Sequence, residues 1–277
     1  MLGVIMVALP LGHLFTAALA DQPVVVELFT SEGCSKSPAA DALLIEMAGR
    51  PDVLALSFHV TYWNRMGWSD PFATETNTLR QRHYNEVLGR DSVYTPQMIV
   101  DGCRQVAGNR PRAIGEAMAA SREAASARRL NIGMEARDGT LNIAIPRGAA
   151  HGYAHGYGGR EARVLLVRYE LRRGKSVKAG ENRGRRLRHS NVVRELVDMG
   201  PWNGSARTLQ VPMAPAGYGI AVLVQEFDAE GRPATILGAA RVERRLLGVW
   251  VSPWEAMVRM MRAVARRVTG GDGAAPL

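Results

Sequence analysis

The sequence predicts an α/β domain followed by a mainly-β, sandwich-like domain and a C-terminal amphipathic helix. Three observations carry this reading. Residues 21–129 alternate continuous apolar runs with segments of helical period, the pattern of buried parallel strands joined by helices. Residues 130–245 show short alternating runs separated by turn signals, with no helical period between them. Residues 246–277 hold one stretch with apolar and basic faces.

The elements follow in order. Met1 to Ala20 carries no Lys, Arg, Asp or Glu and ends Ala18-Leu19-Ala20, an A-x-A-type cleavage pattern. Export to the periplasm or beyond is expected, and a retained segment would instead be an N-terminal membrane anchor. Val24 to Phe29 reads as a buried strand interrupted only by Glu27. Pro38 to Ala48 is a helix with Leu43, Leu44 and Met47 at helical spacing and Gly49 as its stop. Val53 to Val60 is a second strand, and Thr76 to Leu88 a second helix ended by Gly89. Gln97 to Val100, the Asp101-Gly102 turn and Arg104 to Ala107 form a hairpin. Pro111 to Arg129 closes the unit as an Ala-rich helix with proline at its start.

Beyond it, Leu130 to Ala136 and Thr140 to Ile145 flank Asp138-Gly139, a hairpin signal. Val164 to Leu171, Thr208 to Met213, Gly219 to Phe227 and Thr235 to Val242 read as further strands. His151 and His155 have the spacing of metal ligands on a helix, but the glycines around them oppose a helix, so no metal or other cofactor is expected. In the tail, Trp254, Met257, Val258 and Met261 share one face, and Arg259, Arg262 and Arg266 the other. Such a helix lies on an anionic membrane surface or docks on its own protein.

At 277 residues and 47% hydrophobic content the chain builds two ordinary cores, which excludes a disordered protein. Its net charge of +9 comes largely from arginine, with a dense run in Arg183, Arg185, Arg186 and Arg188. No aromatic-interleaved groove accompanies that run, so nucleic acid is not an expected partner.

Strand, helix, strand, helix, hairpin, helix is the order of a thioredoxin fold, so the first domain is expected to be thioredoxin-like. Cys34, directly after the first strand, and Thr95-Pro96, directly before the hairpin, stand where that fold keeps its active site. The motif here is Cys34-Ser35-Lys36-Ser37, with serine in place of the second cysteine. A thiolate is the reactive form, and a helix N-terminus with Lys36 nearby would favour it. Glu27 is read either as a buried acid that moves a proton beneath the thiol or as a salt-bridged strand residue. Pro96 is read as a cis-proline that presents backbone to a bound peptide strand. His59 ends the second strand, and with Tyr62, Trp63, Trp68 and Asp70 it would line a cleft on the strand edge that carries the thiol. Cys103, seven residues past Pro96, should lie on the order of 20 Å from that edge, too far for an intramolecular disulfide with Cys34.

The runs Glu27-Leu28-Phe29-Thr30-Ser31-Glu32-Gly33-Cys34, Phe58-His59-Val60, Gly67-Trp68-Ser69-Asp70-Pro71-Phe72, Val93-Tyr94-Thr95-Pro96-Gln97 and Gly180-Glu181-Asn182-Arg183-Gly184-Arg185 resemble a family of secreted bacterial proteins catalogued as domain of unknown function 1223. The resemblance implies a thioredoxin-like domain with a β-rich companion and brings no established substrate. Members usually show Cys-x-x-Cys, and often Asp where this chain has Thr61, so Ser37 and Thr61 depart from the pattern. Without a resolving thiol, the expected activity is single-thiol exchange: a mixed disulfide with glutathione or a periplasmic protein thiol. The alternative is a redox-inactive module that binds an envelope protein or an anionic surface.

Overall fold

The structure is a computed structural model, and it describes residues 22–125, 129–148 and 160–244. The signal segment, His151 and His155, and the amphipathic tail lie outside the described residues.

Strand β1 (Val24–Thr30) is buried at all seven positions, as its β-branched run requires. Helix α1 (Ser37–Ala48) follows, with Pro38 in its first turn, where a missing N–H costs nothing. Strand β2 (Val53–His59) is parallel to β1, in register from Val24↔Val53 to Thr30↔His59. Helix α2 (Glu75–Val87) is capped by Thr74, whose side chain accepts from the Asn77 N–H at 3.2 Å. Strands β3 (Gln97–Val100) and β4 (Arg104–Ala107) form an antiparallel hairpin, and β3 runs antiparallel to β1. Helix α3 (Pro111–Ala125) ends the first half.

Among the described residues the regular elements of the second half are all strands: β5 (Gly133–Arg137), β6 (Thr140–Ile145), β7 (Glu161–Ser176), β8 (Arg186–Pro201), β9 (Arg207–Pro212), β10 (Tyr218–Phe227) and β11 (Pro233–Glu243). Strand β8 is absent from the sequence reading, and β7 continues well past Leu171 to pair with it as a long hairpin.

These strands overturn the expectation of an α/β thioredoxin-like domain followed by a sandwich-like one. The described residues are mostly strand, with three α-helices. Strands from both halves join one mixed eight-stranded sheet in the order β11-β10-β7-β8-β2-β1-β3-β4. The reason is an unfilled edge: β2 exposes a free side, and β8 takes it in parallel through Ser57↔Val192. The Asn191 side chain reinforces the join by donating to Ala55 O at 2.8 Å. Among the described residues no helix is long and apolar enough to cross a membrane.

The interior is shared accordingly. One core cluster takes Val25, Phe29, Leu54 and Phe58 from the first half and Leu165, Val167, Leu223 and Ile236 from the second. On the opposite face of β1, Val24, Val26 and Leu28 meet α1 and α3 through Leu44, Ile114 and Met118. The small sheet β5-β6-β9 covers β7 and β10, burying Leu141, Ile143 and Trp202 against Val164 and Val222.

Polar ties cross the same boundary. Asp101, at positive φ in the β3–β4 turn, accepts from Val25 N at 2.8 Å through Oδ1. Its Oδ2 takes Ser121 and Arg129, and its carbonyl accepts from Ile236 N at 2.9 Å. Gly102, at φ +70°, must stay glycine, because a Cβ there would meet Ala234 O at 2.0 Å.

Glu27 is the other tie. Its Oε1 accepts from Arg80 Nε and Nη2 at 3.1 and 2.8 Å, and Arg80 Nη2 also reaches Tyr84 OH and Gln225 Oε1 at 2.8 Å. Both charges are buried, so removing one partner strands the other. Arg80→Met should cost about 3–5 kcal/mol in urea unfolding, and combining it with Glu27→Leu should restore at least half of the loss. An Arg80→Met loss below about 1 kcal/mol would show that the pair does not hold the halves together.

Candidate functional site

The thiol sits at the carboxyl edge of β1, in the turn that leads to α1. Cys34 is 1% exposed, and its Sγ–H donates to Thr95 O at 3.7 Å. The Thr95-Pro96 bond is cis. Trp63 Nε1 donates to Thr95 Oγ1 at 2.7 Å and so closes over the same corner. Ser37 N donates to Cys34 O at 3.2 Å, while Ser37 Oγ is buried with no hydrogen bond. The helix begins at Ser37 with Lys36 in the cap position, one residue earlier than the expected start at Pro38. Cys34, Ser37, Thr95, Pro96 and Trp63 therefore form one group.

His59 and Asp70 form a second group. His59 Nδ1 and Asp70 Oδ2 lie 2.7 Å apart, both fully enclosed. Asp70 also accepts from Glu32 N at 2.8 Å and from Phe72 N at 2.9 Å. Burial would raise its pKa, but His59 and these N–H groups outweigh burial and hold it below the usual carboxylate range. Trp68 joins by donating from Nε1 to Glu32 Oε2 at 2.9 Å. Tyr62 packs against the core, with its OH donating to Gln81 Oε1 at 3.3 Å, and burial pushes its pKa up. Glu27 belongs to neither group, because the bonds to its carboxylate come from Arg80.

The residues that join the two groups were missed by sequence reasoning. His189, on β8, places Nε2 3.1 Å from Glu32 Oε1 and Nδ1 3.6 Å from Asp41 Oδ2 on α1. Its ring stands 4.7 Å, centroid to centroid, from that of His59. Burial alone would lower its pKa, but Asp41 and Glu32 outweigh it and push the value up to about 10, so the ring is a buried cation at neutral pH. Asn182, fully buried in the 177–185 segment between β7 and β8, donates from Nδ2 to Glu32 O and Cys34 O, each at 2.9 Å. The neighbouring Glu181 accepts from Ser35 N at 2.9 Å. This segment is a strap laid across the thiol loop. The available signals were a carboxylate next to Gly33-Cys34 and a His within a two-residue alternation, and neither names its partner.

Cys103 lies in the β3–β4 turn, at the far end of β3 from Pro96, and its Sγ–H donates to Val100 O at 3.8 Å. Both cysteines are free. Among the described residues no set of three or more His, Cys, Asp or Glu is arranged to hold a metal ion.

A family model described as "Protein of unknown function (DUF1223)" matches residues 25–225. Among solved structures, the chain is similar to protein AGR_C_4864 from Agrobacterium tumefaciens, at 31% identity and a TM-score of 0.68, over 82% of this chain and 96% of that one. It is also similar in fold to HBP35 of Porphyromonas gingivalis, at 13% identity and a TM-score of 0.51, over 83% of this chain and 78% of that one. No similar sequence was found among curated proteins.

The buried cation sets a pH dependence. An ordinary imidazole titrates near 6.5 and His189 near 10, so the folded state holds this proton more tightly. The stability it contributes is fully present below pH 6.5 and is lost as the pH rises to about 10. Asp70 acts in the opposite sense: its contribution is present above the usual carboxylate range and is lost as pH falls through its lowered value. Urea unfolding as a function of pH should show the alkaline decline, and His189→Gln should flatten it. An equally steep decline in the variant would assign the effect to other groups.

Proposed function

Because the chain belongs to the DUF1223 family of proteins of unknown function, no activity is inherited from its relatives, and on its own geometry we propose that Cys34 is a gated single thiol. It forms mixed disulfides with glutathione or an exported protein.

Cys34, as thiolate, attacks one sulfur of a partner disulfide. The partner S–S bond breaks, a Cys34–partner disulfide forms, and the departing sulfur leaves as a thiolate that takes up the proton Cys34 released. An external thiol then attacks the mixed disulfide, regenerates Cys34 and leaves joined to the captured half. Ser37 has no sulfur to perform this second step, and Cys103 stands at the other end of β3.

The observation that carries the reading is the Asn182 clamp, whose two buried hydrogen bonds rest on carbonyls at and beside the thiol. Lifting the strap exposes Cys34 without unfolding the sheet. A second reading, a binding role without redox chemistry, is favoured by the 1% exposure of the thiol in the closed state.

Alkylation with iodoacetamide on a Cys103→Ser background separates the two. Cys34 should label slowly in the intact protein and at least tenfold faster in Asn182→Ala, since two buried hydrogen bonds are worth about 2–3 kcal/mol. Glutathione disulfide should then add to Cys34 by intact mass. A thiol that neither alkylates nor takes glutathione in Asn182→Ala would end the redox reading, and Cys34→Ser would then leave partner binding unchanged.

A further inference from the structure

Helix α1 and the outer ends of β7 and β8 border a second feature, separate from the thiol. A groove of about 790 Å³ runs between the outer face of α1 and the hairpin. This volume lies within the range of small-molecule sites. Its α1 wall is apolar, formed by Pro38, Ala42 and Ile45, and Leu187 of β8 continues it. Arg172, Arg173, Arg185, Arg186 and Arg188 line the hairpin side. Arg173 is engaged by Glu170, and Arg185 by Asn182. Arg186 and Arg188 stand exposed on β8.

Two carboxylates also line the groove. Asp41 is held by Thr30 Oγ1 at 3.0 Å and stands beside the His189 cation, which leaves Glu46 as the one acidic side chain there without that compensation. The balance is strongly positive. Asp41 Oδ2 and His189 Nδ1 face each other at 3.6 Å in that wall, so the pair adds no net charge to the groove.

We propose that this groove binds a single-chain anionic amphiphile, its alkyl tail along Pro38, Ala42 and Ile45 and its phosphate or carboxylate head among Arg186 and Arg188. An apolar wall opposite guanidinium groups matches that chemistry at both ends. Arginine presents paired N–H donors that fit phosphate and carboxylate oxygens, and desolvated alkyl carbons gain from leaving water. A free phosphate would use only the arginines and leave the α1 wall bare.

Calorimetric titration of the intact protein with dodecyl phosphate, below its micellar concentration, tests this. One equivalent should bind. The double variant Arg186→Ala/Arg188→Ala should weaken binding at least tenfold. Ala42 is exposed, so Ala42→Trp fills the groove without entering the core and should abolish binding while thermal unfolding stays unchanged. Inorganic phosphate binding as tightly as dodecyl phosphate would overturn the proposal in favour of a plain anion site. Dodecyl maltoside binding as tightly would overturn it in favour of non-specific apolar contact. Absence of binding, or binding that survives Ala42→Trp, would overturn it outright.

Discussion

The placement of His189 between two carboxylates is the constraint on which the arrangement of the site depends. A cation taken out of water is costly, and it persists only where anions and hydrogen bonds replace the water it lost. Here Glu32 comes from the loop that carries Cys34, Asp41 from the helix that follows, and the histidine from β8 in the other half of the chain. A thiol loop and its following helix are thus tied by charge to a strand about 150 residues later. Moving any one of them would leave an enclosed charge uncompensated. The thiol loop has a fixed position because its neighbouring residue is one arm of this cluster.

A second charged pair does similar work deeper in the sheet. Glu27 and Arg80, with Tyr84 and Gln225, connect β1, α2 and β10. Arg80 also lies over the rings of Phe58 and Tyr84, at 5.6 and 4.9 Å from their centroids. The two halves of the chain therefore share polar interiors as well as apolar ones, and sheet order alone understates how closely they are joined. The thiol site lies on that boundary: its loop joins β1 to α1, and the strap between β7 and β8 is hydrogen-bonded to the backbone of that loop.

Most individual strands and helices were legible because their apolar periods are strong. Val24–Thr30, Glu75–Val87 and Thr140–Ile145 each announce themselves by spacing and caps. The sheet that unites them was not legible. Its key strand, β8, begins Arg186-Leu187-Arg188-His189-Ser190-Asn191, where the inward positions include a histidine and an asparagine, and alternation by hydrophobicity fades. Within the site, the pairing of His59 with Asp70 and the corner of Cys34 with Thr95 follow from strand ends meeting on one edge. Glu32, Asp41, His189 and Asn182 are different. Their roles come from partners about 150 residues away, as in the Asn182 bond to Glu32, and no local pattern records that.

Asn191 has a consequence of another kind. It takes a positive φ of 52° inside β8, and its side chain makes the bond to β2 that a straight backbone would otherwise have to supply. On one side of it, Val192 and Val193 are buried in the common core; on the other, the hairpin runs outward with Arg186 and Arg188 exposed. Asn191 therefore divides the hairpin into an inner part built into the common core and an outer part that carries exposed charge. The outer part is still held in register, with Gly174 opposite Arg188 and Ser176 opposite Arg186, so the arginine side chains stand at fixed places on the rim. The charge of this rim can therefore be altered at Arg186 and Arg188 without touching the residues that join β8 to β2.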